Sequence, residues 1–416
     1  MPVLRARALT PIDADTVVDW PDARVEIADG RFVSVGPWTG GPCDEDVRPH
    51  VLVPGFVDGH IHFPQTRIVG RASGPLLDWL AGATFPEEAR FADTAHAARV
   101  AEVFARSLAA AGTTWGLVYG PVFPDAVDAL ARVLRRRGQH ARLGPVWMDD
   151  DSPAALTTSI EATTAGLDAL RENHHGQDGI EVAVIPRFAL SCSRAALSAA
   201  GRYAADHQLT VSTHLAENRV ECALVRERFG ADYLDVYADA GLLAPGAVFA
   251  HTIHLTDTEW DRFAAAGAVV AHCPDSNGFL GSGTMPVGAV LDRGIPLTIG
   301  TDIAAGRSFR VPTTLSFAYD NALRDGRNVA PARLWWWGTR GGALALGRSD
   351  TGALAAGLAA DFLQLELPPW VETSEQVLAA ILFDLDAARP VRTFVAGRVV
   401  YERAIDGVNP WAPPAR

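Results

Sequence analysis

Short apolar runs alternate with alanine-rich, amphipathic segments through the middle of the chain. The segments between the runs, such as residues 93–111 and 124–138, have the spacing of amphipathic helices. Eight apolar runs occur: HVLVPGFVDGHIH, GTTWGLVYG, LGPVWMD, IEVAVIPRFALSC, LTVSTHLAEN, GAVFAHTIHL, GAVVAHCPDSN and IPLTIGTDIA. Strands that alternate with helices form parallel sheets, and eight of them close a TIM-like barrel. We therefore predict an α/β fold with a (β/α)8 barrel over residues 51–350. A doubly wound open sheet is the alternative, but no GxGxxG motif opens the first strand–helix unit.

The two ends of the chain show a different pattern of short alternating segments. Near the N-terminus, RVEIADGRFVSVG contains Asp29-Gly30 between two strand-like runs, which is typical of a tight hairpin. Near the C-terminus, ADFLQLEL and RTFVAGRVVYE have the same character. Neither end of the chain is long enough to form a stable sheet with a buried apolar face by itself. We predict that residues 1–50 and 351–416 combine into one small β-sandwich domain.

Composition and charge narrow the classes of partner. The 416 residues include 36 Lys and Arg and 49 Asp and Glu, so the net charge of −13 argues against binding to nucleic acid. No apolar stretch reaches the roughly 18 residues of a membrane span, and the first residues lack the apolar core of a signal peptide. Four dispersed cysteines without a CxxC pair suggest reduced thiols. We predict a cytoplasmic protein that binds neither nucleic acid nor membrane.

Residues that carry chemistry stand at the ends of most of these runs. They are His60 and His62 in the first run, Arg187 and Phe188 in the fourth, His214 and Glu217 in the fifth, His251 in the sixth, His272 in the seventh and Asp302 in the eighth. The carboxyl ends of the strands in a parallel barrel open onto one face, where active sites are built. We therefore expect these distant residues to converge.

A metal site is the chemistry that this set favours. His60 and His62 alternate with Ile61, so a strand directs both imidazoles to one side. An isolated HxH is often only a pair of polar residues at a strand end. Together with His214 and Asp302 at equivalent ends, however, it predicts a site for zinc or a similar divalent ion, which would activate water.

The chain contains no lysine, since all 36 basic residues are arginine. This absence excludes Schiff-base chemistry and a carbamylated lysine that bridges two metals. Arg187 lies at the end of the fourth run, where such a bridge would stand, and its guanidinium repels a cation. We predict one metal per chain.

Hydrolysis also requires groups that move protons. Glu217 lies three residues after His214, where a carboxyl could take the proton of water and deliver it to a substrate nitrogen. Its alternative role is that of an acidic residue at a helix N-terminus. Asp302 could relay a proton to a departing ammonia. We favour His251 as a group that orients water over His251 as a ligand, and we expect a supporting role for His272.

Six segments together resemble the guanine deaminases of the amidohydrolase superfamily: PGFVDGHIHFPQ, TFPEEARF, PRFALSCS, HLAEN, HCPDSNGFLGSG and TDIAAGRSF. The similarity extends from about residue 50 to about residue 350, and the flanks resemble the small β-domain of that superfamily. HxH and TD alone indicate only the superfamily. HFPQ with PRFALSCS is more specific, because the family recognises its purine through those segments.

The resemblance implies a zinc ion held by His60, His62, His214 and Asp302, with Glu217 as the proton shuttle. The expected activity is the hydrolytic deamination of guanine to xanthine and ammonia. The family also suggests a homodimer. The apolar stretch LWWWG at residues 334–338 could belong to its interface, or could simply be a helix packed on the barrel.

The resemblance also assigns the substrate contacts. Gln65 and Arg187 would form hydrogen bonds with the purine, Phe188 would pack against its ring, and Glu217 would contact it during proton transfer. A carboxamide and a guanidinium offer directional donors, and an aromatic face provides stacking area. Without the family motifs, Arg187 could equally pair with a barrel carboxylate and Phe188 could be ordinary core.

Departures from the family pattern leave the substrate open. Asp275, Arg307 and Trp115 are unusual for the family, and we expect these changes around the rim of the site. A related heterocycle with an exocyclic amine, such as a modified or deaza guanine or a pterin, is therefore the alternative substrate. A degenerate, non-catalytic purine-binding protein is a third hypothesis, against which the intact metal ligands argue.

Overall fold

The computed structural model describes residues 2–384 and 387–403. The strands in these residues are β1 (Val3–Pro11), β2 (Val17–Ala28), β3 (Arg31–Pro37), β4 (Glu45–Pro54), β5 (Phe56–His62), β6 (Thr113–Gly120), β7 (His140–Trp147), β8 (Ile180–Val182), β9 (Ile185–Pro186), β10 (Ser212–Leu215), β11 (Val248–His251), β12 (Val269–His272), β13 (Leu297–Ile299), β14 (Phe362–Glu366), β15 (Arg389–Val395) and β16 (Arg398–Glu402).

The α-helices lie mainly between the strands of the central part. They are α1 (Leu76–Trp79), α2 (Phe85–Glu88), α3 (Thr94–Ala111), α4 (Pro124–Arg137), α5 (Ile160–His174), α6 (Arg194–His207), α7 (Arg219–Phe229), α8 (Tyr233–Asp239), α9 (Asp257–Ala265), α10 (Pro274–Phe279), α11 (Val287–Asp292), α12 (Val311–Arg324), α13 (Pro331–Gly338), α14 (Arg340–Ala345) and α15 (Ser374–Leu382). The sequence of α4 shows why such a helix forms: Pro124 occupies its first turn, and Gly138 ends it with a left-handed φ of 69°.

Parallel strands build the barrel that the sequence predicts. β5 to β8 form one parallel sheet in chain order, β9 pairs with β7, and β10 to β13 form a second parallel sheet. The main-chain N–H of Ser212 donates to Val184 O at 3.0 Å and joins the two sheets at one edge. The N–H of Asp302 donates to His60 O at 2.8 Å and joins them at the other edge. The predicted fold class is confirmed, with two of the apolar runs each divided between two strands.

The two chain ends share one seven-stranded sheet. Its order is β16-β15-β14-β4-β1-β2-β3, and β1 and β4 form its parallel pair. The expected hairpin is present, because Asp29 and Gly30 adopt left-handed φ angles of 49° and 75° between β2 and β3. The prediction that both ends build one small β-domain is confirmed. The domain boundaries near residues 50 and 350 stay a prediction.

Two glycines allow the strands beneath the site to approach closely. A Cβ on Gly59 would lie 2.2 Å from Thr298 Cγ2, and a Cβ on Gly300 would lie 2.6 Å from His60 Cβ. Because such contacts are impossible for a side chain, β5 and β13 can reach this separation only with glycine at these positions. This contact places His60 beside the segment that carries Asp302.

Other predictions about the chain can be compared with the fold directly. Cys43, Cys192, Cys222 and Cys273 are free thiols, as expected. In the part of the chain that the structure describes, none of the helices combines the length and apolar character needed to cross a membrane. Trp335 and Trp337 of the LWWWG stretch are buried within α13, which agrees with a helix packed on the barrel.

Candidate active site

Four imidazoles and one carboxylate meet at the carboxyl ends of the barrel strands. His60 and His62 end β5, His214 lies in β10, His251 ends β11 and Asp302 follows β13. His62 Nε2 lies 3.2 Å from both His60 Nε2 and His214 Nε2. Asp302 Oδ1 lies 3.2 Å from His60 Nε2 and 3.4 Å from His62 Nε2. The structure therefore brings together the four residues that the sequence assigned to the metal.

The donor atoms of this cluster have the separation that a bound cation would impose. Zinc ligands at about 2.0–2.1 Å in a tetrahedron lie about 3.3 Å from one another. His62 Nε2 faces two other imidazole nitrogens, each at 3.2 Å. A single N–H cannot donate to both along its axis, so without an ion lone pairs of these nitrogens would repel. A divalent ion among them removes this repulsion. The residues present therefore fit a divalent metal.

His251 also belongs to this cluster. One ligand atom from each of His60, His214, His251 and Asp302 lies within 4.8 Å of the others. His251 Nδ1 is 2.7 Å from Asn277 Oδ1, an arrangement in which Nδ1–H donates and the lone pair of Nε2 points elsewhere. His251 Nε2 is buried without a hydrogen-bond partner and lies 3.4 Å from Glu217 Oε2. It is thus available to a metal ion or to a water molecule.

The main chain orients a second imidazole. His214 Nδ1–H donates a hydrogen bond to Arg187 O at 2.5 Å, so the lone pair of Nε2 faces the cluster. Below His60, the carboxylate of Asp58 accepts hydrogen bonds from the main-chain N–H groups of His60 at 3.2 Å and Thr301 at 3.0 Å. These contacts tie the end of β9 to β10, and β5 to the segment that follows β13.

Burial sets the protonation of these groups. It lowers the pKa of His62 to about 4 and that of His214 well below its usual value, so both imidazoles stay neutral near pH 7. Burial opposes ionisation of Asp302, but hydrogen bonds from His60 and His62 outweigh it and hold the Asp302 pKa well below its usual range. Neutral imidazoles and an ionised carboxylate are the forms that bind metals.

The backbone at three of these strand ends is left-handed. Ala216, His251 and Asp302 have φ angles of 49°, 70° and 50°. Such conformations cost non-glycine residues about 1–3 kcal/mol each and persist where surrounding contacts enforce them. The fold therefore tolerates strain at the positions that aim side chains at the cluster.

Glu217 stands beside the cluster with its carboxylate held by two contacts. Its Oε1 accepts a hydrogen bond from Ser282 Oγ at 2.7 Å, and its Oε2 faces His251. Burial, together with the nearby Asp302 charge, raises the Glu217 pKa to about 8. Glu221 lies behind it and completes the capping box of α7, so Glu221 rather than Glu217 serves the helix N-terminus.

A cavity opens directly onto these groups. Its lining includes the four residues that the family resemblance assigned to substrate binding: Gln65, Arg187, Phe188 and Glu217. Leu76, Trp79, Leu80, Leu280 and Ala305 supply apolar walls. A cavity with apolar walls and a few directional polar groups suits a small, flat heterocycle.

Gln65 and Arg187 are not free side chains in this cavity. Gln65 Nε2 donates to Glu88 Oε1 at 3.0 Å, and Arg187 Nη1 donates to Glu88 Oε2 at 2.5 Å. Pairing of Arg187 with a barrel carboxylate was the alternative to substrate binding. The structure shows this pairing and also places Arg187 in the lining of the cavity.

Asp275, Arg307 and Trp115, which depart from the family pattern, were expected around the rim of the site, but none of them lines the cavity. Asp275 is buried and accepts from Arg307 Nε at 2.8 Å and from its main-chain N–H at 2.8 Å, so the two charges neutralise each other. Trp115 was expected at the rim and this is wrong. It pairs in register with His140 at the amino-terminal end of β7, where burial of a large aromatic ring stabilises the opposite end of the barrel.

Sequence reasoning missed four polar residues that support the site: Asp58, Glu88, Asn277 and Ser282. Asp58 and Glu88 are fully buried carboxylates that contact other site residues. Asn277 and Ser282 contact His251 and Glu217. A signal was available, since all four lie inside the family-like segments. His254 is a loop residue with Nε2 2.8 Å from Ser282 O. His272, expected to support the site, is fully buried at the end of β12, and neither of its ring nitrogens has a hydrogen-bond partner among the described residues.

Comparison with known proteins agrees with this geometry. Residues 51–400 match the amidohydrolase family. Guanine deaminase of Escherichia coli is 35% identical in an alignment that covers 92% of this chain and 92% of that protein. Its structure superimposes with a TM-score of 0.93, covering 97% of this chain and 100% of that one.

Two further solved structures carry ligands. Guanine deaminase from C. acetobutylicum, solved with bound guanine in the active site, is 26% identical with a TM-score of 0.90, covering 96% of this chain and 100% of that one. An adenosine deaminase from Xanthomonas campestris with bound zinc is 26% identical with a TM-score of 0.82, covering 95% and 92%.

The chain therefore belongs to the amidohydrolase family, and its own barrel carries a His-rich cluster at the carboxyl ends of the strands. Within that family it is a member of the guanine deaminases, to which it is similar over nearly its whole length. The predicted family and the predicted enzyme class, a hydrolase of C–N bonds in cyclic amidines, are confirmed.

Proposed function

We propose that this chain is a zinc-dependent enzyme that hydrolyses guanine to xanthine and ammonia. One observation carries the proposal: a buried cluster of metal-binding side chains, the carboxylate of Glu217 and a narrow apolar cavity lie side by side. Similarity to guanine deaminases supports the choice of substrate. The inferred role of the enzyme is in purine breakdown.

His60, His62, His214 and Asp302 would hold one zinc ion. The absence of lysine and the presence of Arg187 on the same face support a single ion per chain. When bound, the ion would lower the pKa of water and so supply a nucleophile near neutral pH. His251 would orient the attacking water, because its Nε2 lies between Glu217 Oε2 at 3.4 Å and Asp302 Oδ2 at 3.9 Å.

Glu217 would move the first proton. Its Oε2 takes a proton from the attacking water and transfers it to the ring nitrogen next to the carbon that bears the exocyclic amine. A C–O bond forms at that carbon as the ring nitrogen is protonated. Asp302 Oδ2 then relays the second proton of the water to the amine, the C–N bond breaks and ammonia leaves. Gln65, Arg187 and Phe188 would hold the purine during these steps.

The test is ammonia and xanthine formation from guanine by zinc-loaded protein. We expect turnover in the wild type, loss of at least about 100-fold in Glu217→Gln, and unchanged turnover in Glu227→Gln, which changes an exposed residue on α7. Wild-type protein that binds zinc but releases no ammonia from guanine would contradict the proposal. A panel of deazapurines and pterins in the same assay covers the alternative substrates. The structure gives them no added support, because Asp275 and Arg307 form an ion pair with each other and do not line the cavity.

A homodimer is the assembly that the family resemblance suggests. Trp335 and Trp337 are buried within this chain, so the LWWWG stretch offers only Trp336 as a partly exposed ring. Light scattering of purified protein would distinguish a dimer of about twice 44.3 kDa from a monomer.

A further inference from the structure

Glu88 is a buried carboxylate to which the reaction steps above assign no role. It ends α2 and is 0% exposed, while Gln65 and Arg187 are each 2% exposed. One carboxylate oxygen accepts from Gln65 Nε2 at 3.0 Å and the other accepts from Arg187 Nη1 at 2.5 Å. Glu88 therefore bridges the two polar side chains that line the cavity.

This bridge determines the orientation of the Gln65 carboxamide. A carboxylate can only accept hydrogen bonds, and a main-chain N–H can only donate them. Gln65 Nε2 faces Glu88, and Gln65 Oε1 accepts from the N–H of Ala304 at 2.8 Å. A flipped carboxamide would set oxygen against carboxylate and NH2 against N–H, so both partners enforce the same orientation.

The remaining hydrogen-bonding capacity at this wall of the cavity consists mainly of donors. Gln65 has used one of its two N–H groups, and Arg187 keeps donors on Nε and Nη2. The Arg187 guanidinium also lies over the Phe85 ring at 5.4 Å, which fixes its plane. The charge of Glu88 offsets that of Arg187, whose guanidinium lines the same cavity as the metal-binding side chains. An uncompensated guanidinium here would oppose metal binding.

We propose that Glu88 is a positioning residue that presents Gln65 and Arg187 to the substrate as hydrogen-bond donors. The 6-carbonyl oxygen and N7 of guanine are acceptors and satisfy such a wall. An amino group at position 6 would face donors and leave them unpaired in a buried site, which is a strong basis for discrimination. The inference rests on the proposed function and adds how its purine is selected.

The experiment compares guanine with 2,6-diaminopurine, which keeps the 2-amine that leaves and replaces the 6-carbonyl with an amine. Glu88→Gln should raise KM for guanine about 10- to 100-fold, because one hydrogen bond to a charged group is lost in the buried wall. The ratio of kcat/KM for guanine to that for 2,6-diaminopurine should fall at least about tenfold. Glu87→Gln is the matched control, because Glu87 is the adjacent buried acid and contacts Arg67, Arg90 and His96 instead.

A double-mutant cycle separates positioning from general damage. If Glu88 acts through Gln65, Glu88→Gln should change the substrate ratio much less in a Gln65→Ala background than in the wild type. Zinc-saturated protein is used throughout, and metal content is measured for each variant. If Glu88→Gln does not fold, Glu88→Asp replaces it, because the shorter carboxylate cannot reach both partners and should lower the same ratio.

The outcomes distinguish a failure of the role of Glu88 from a failure of the proposed function. Equal loss of kcat/KM for both purines in the Glu88 variant, or additive effects in the cycle, would overturn the role of Glu88 while wild-type guanine turnover stands. Wild-type protein without guanine turnover would instead reject the proposed function itself.

Discussion

The hydrogen bond from Ser282 to Glu217 offers a direct way to alter the proposed proton shuttle without touching the metal ligands. Ser282 Oγ donates to Glu217 Oε1 at 2.7 Å, and Ser282 is 5% exposed. This bond favours the charged carboxylate and works against burial, which raises the Glu217 pKa to about 8. Ser282→Ala removes the donor, so the pKa of Glu217 should rise further.

The size of the effect follows from the burial of the pair. A hydrogen bond to a charged group contributes about 1.5–3 kcal/mol, which corresponds to about one to two pKa units. Glu217 must be ionised to accept a proton, so kcat/KM on the acidic limb should fall about 10- to 100-fold. A bound dication lowers the absolute pKa, but removal of the donor shifts it upward from either starting value.

The assay is the pH dependence of kcat/KM for guanine in wild type, Ser282→Ala and Ser276→Ala. Ser276 is the matched control, because its buried hydroxyl donates to Cys273 O at 3.0 Å instead of to Glu217. We expect the Ser282→Ala profile to move to higher pH and to meet the wild type on the alkaline side. Superimposable profiles, or an equal loss at every pH, would refute the reasoning.

Three further outcomes follow from contacts around the site. His251→Ala should retain about one zinc per chain by elemental analysis yet lose at least about 100-fold in kcat, since His251 orients water in our scheme; loss of the ion would identify His251 as a ligand. Burial raises the Glu221 pKa to about 7, so its stabilising contribution is complete below pH about 4.5 and is lost as pH rises through about 7. The melting temperature of Glu221→Gln should therefore decline less between pH 5 and pH 8 than that of the wild type, and parallel declines would contradict this. Arg307→Ala should lower the free energy of unfolding in urea by about 1–3 kcal/mol, because Asp275 stays buried, while guanine kcat/KM stays within about threefold; a large change in substrate preference would contradict the placement of this pair outside the cavity.

Much of the fold could be predicted because its signals are local and repeated. Eight apolar runs with helices between them predict parallel strands, their number favours a closed barrel, and Asp29-Gly30 predicts a hairpin. The metal cluster was predictable for a geometric reason. Histidines and an aspartate at the ends of parallel strands must share one face, so His60, His214 and Asp302 converge although they lie far apart in sequence.

All four supporting residues lie inside the family-like segments, but their individual roles could not be predicted, because each role depends on contacts between distant segments. Nothing local distinguishes buried Glu88 from its neighbour Glu87, and only the fold brings Glu88 to Gln65 and Arg187. The same holds for charges that cancel. Asp275 and Arg307 are 32 positions apart, and their pairing is visible only in three dimensions.

The central claim is that one divalent ion, held by the imidazole cluster and Asp302, is required for deamination of guanine. The most direct measurement is the titration of metal-free protein with zinc while ammonia release from guanine is recorded. We predict no turnover without metal, a linear rise on addition of zinc, and a plateau at one equivalent per chain. Full turnover by metal-free protein, or a plateau only at two equivalents, would contradict the claim.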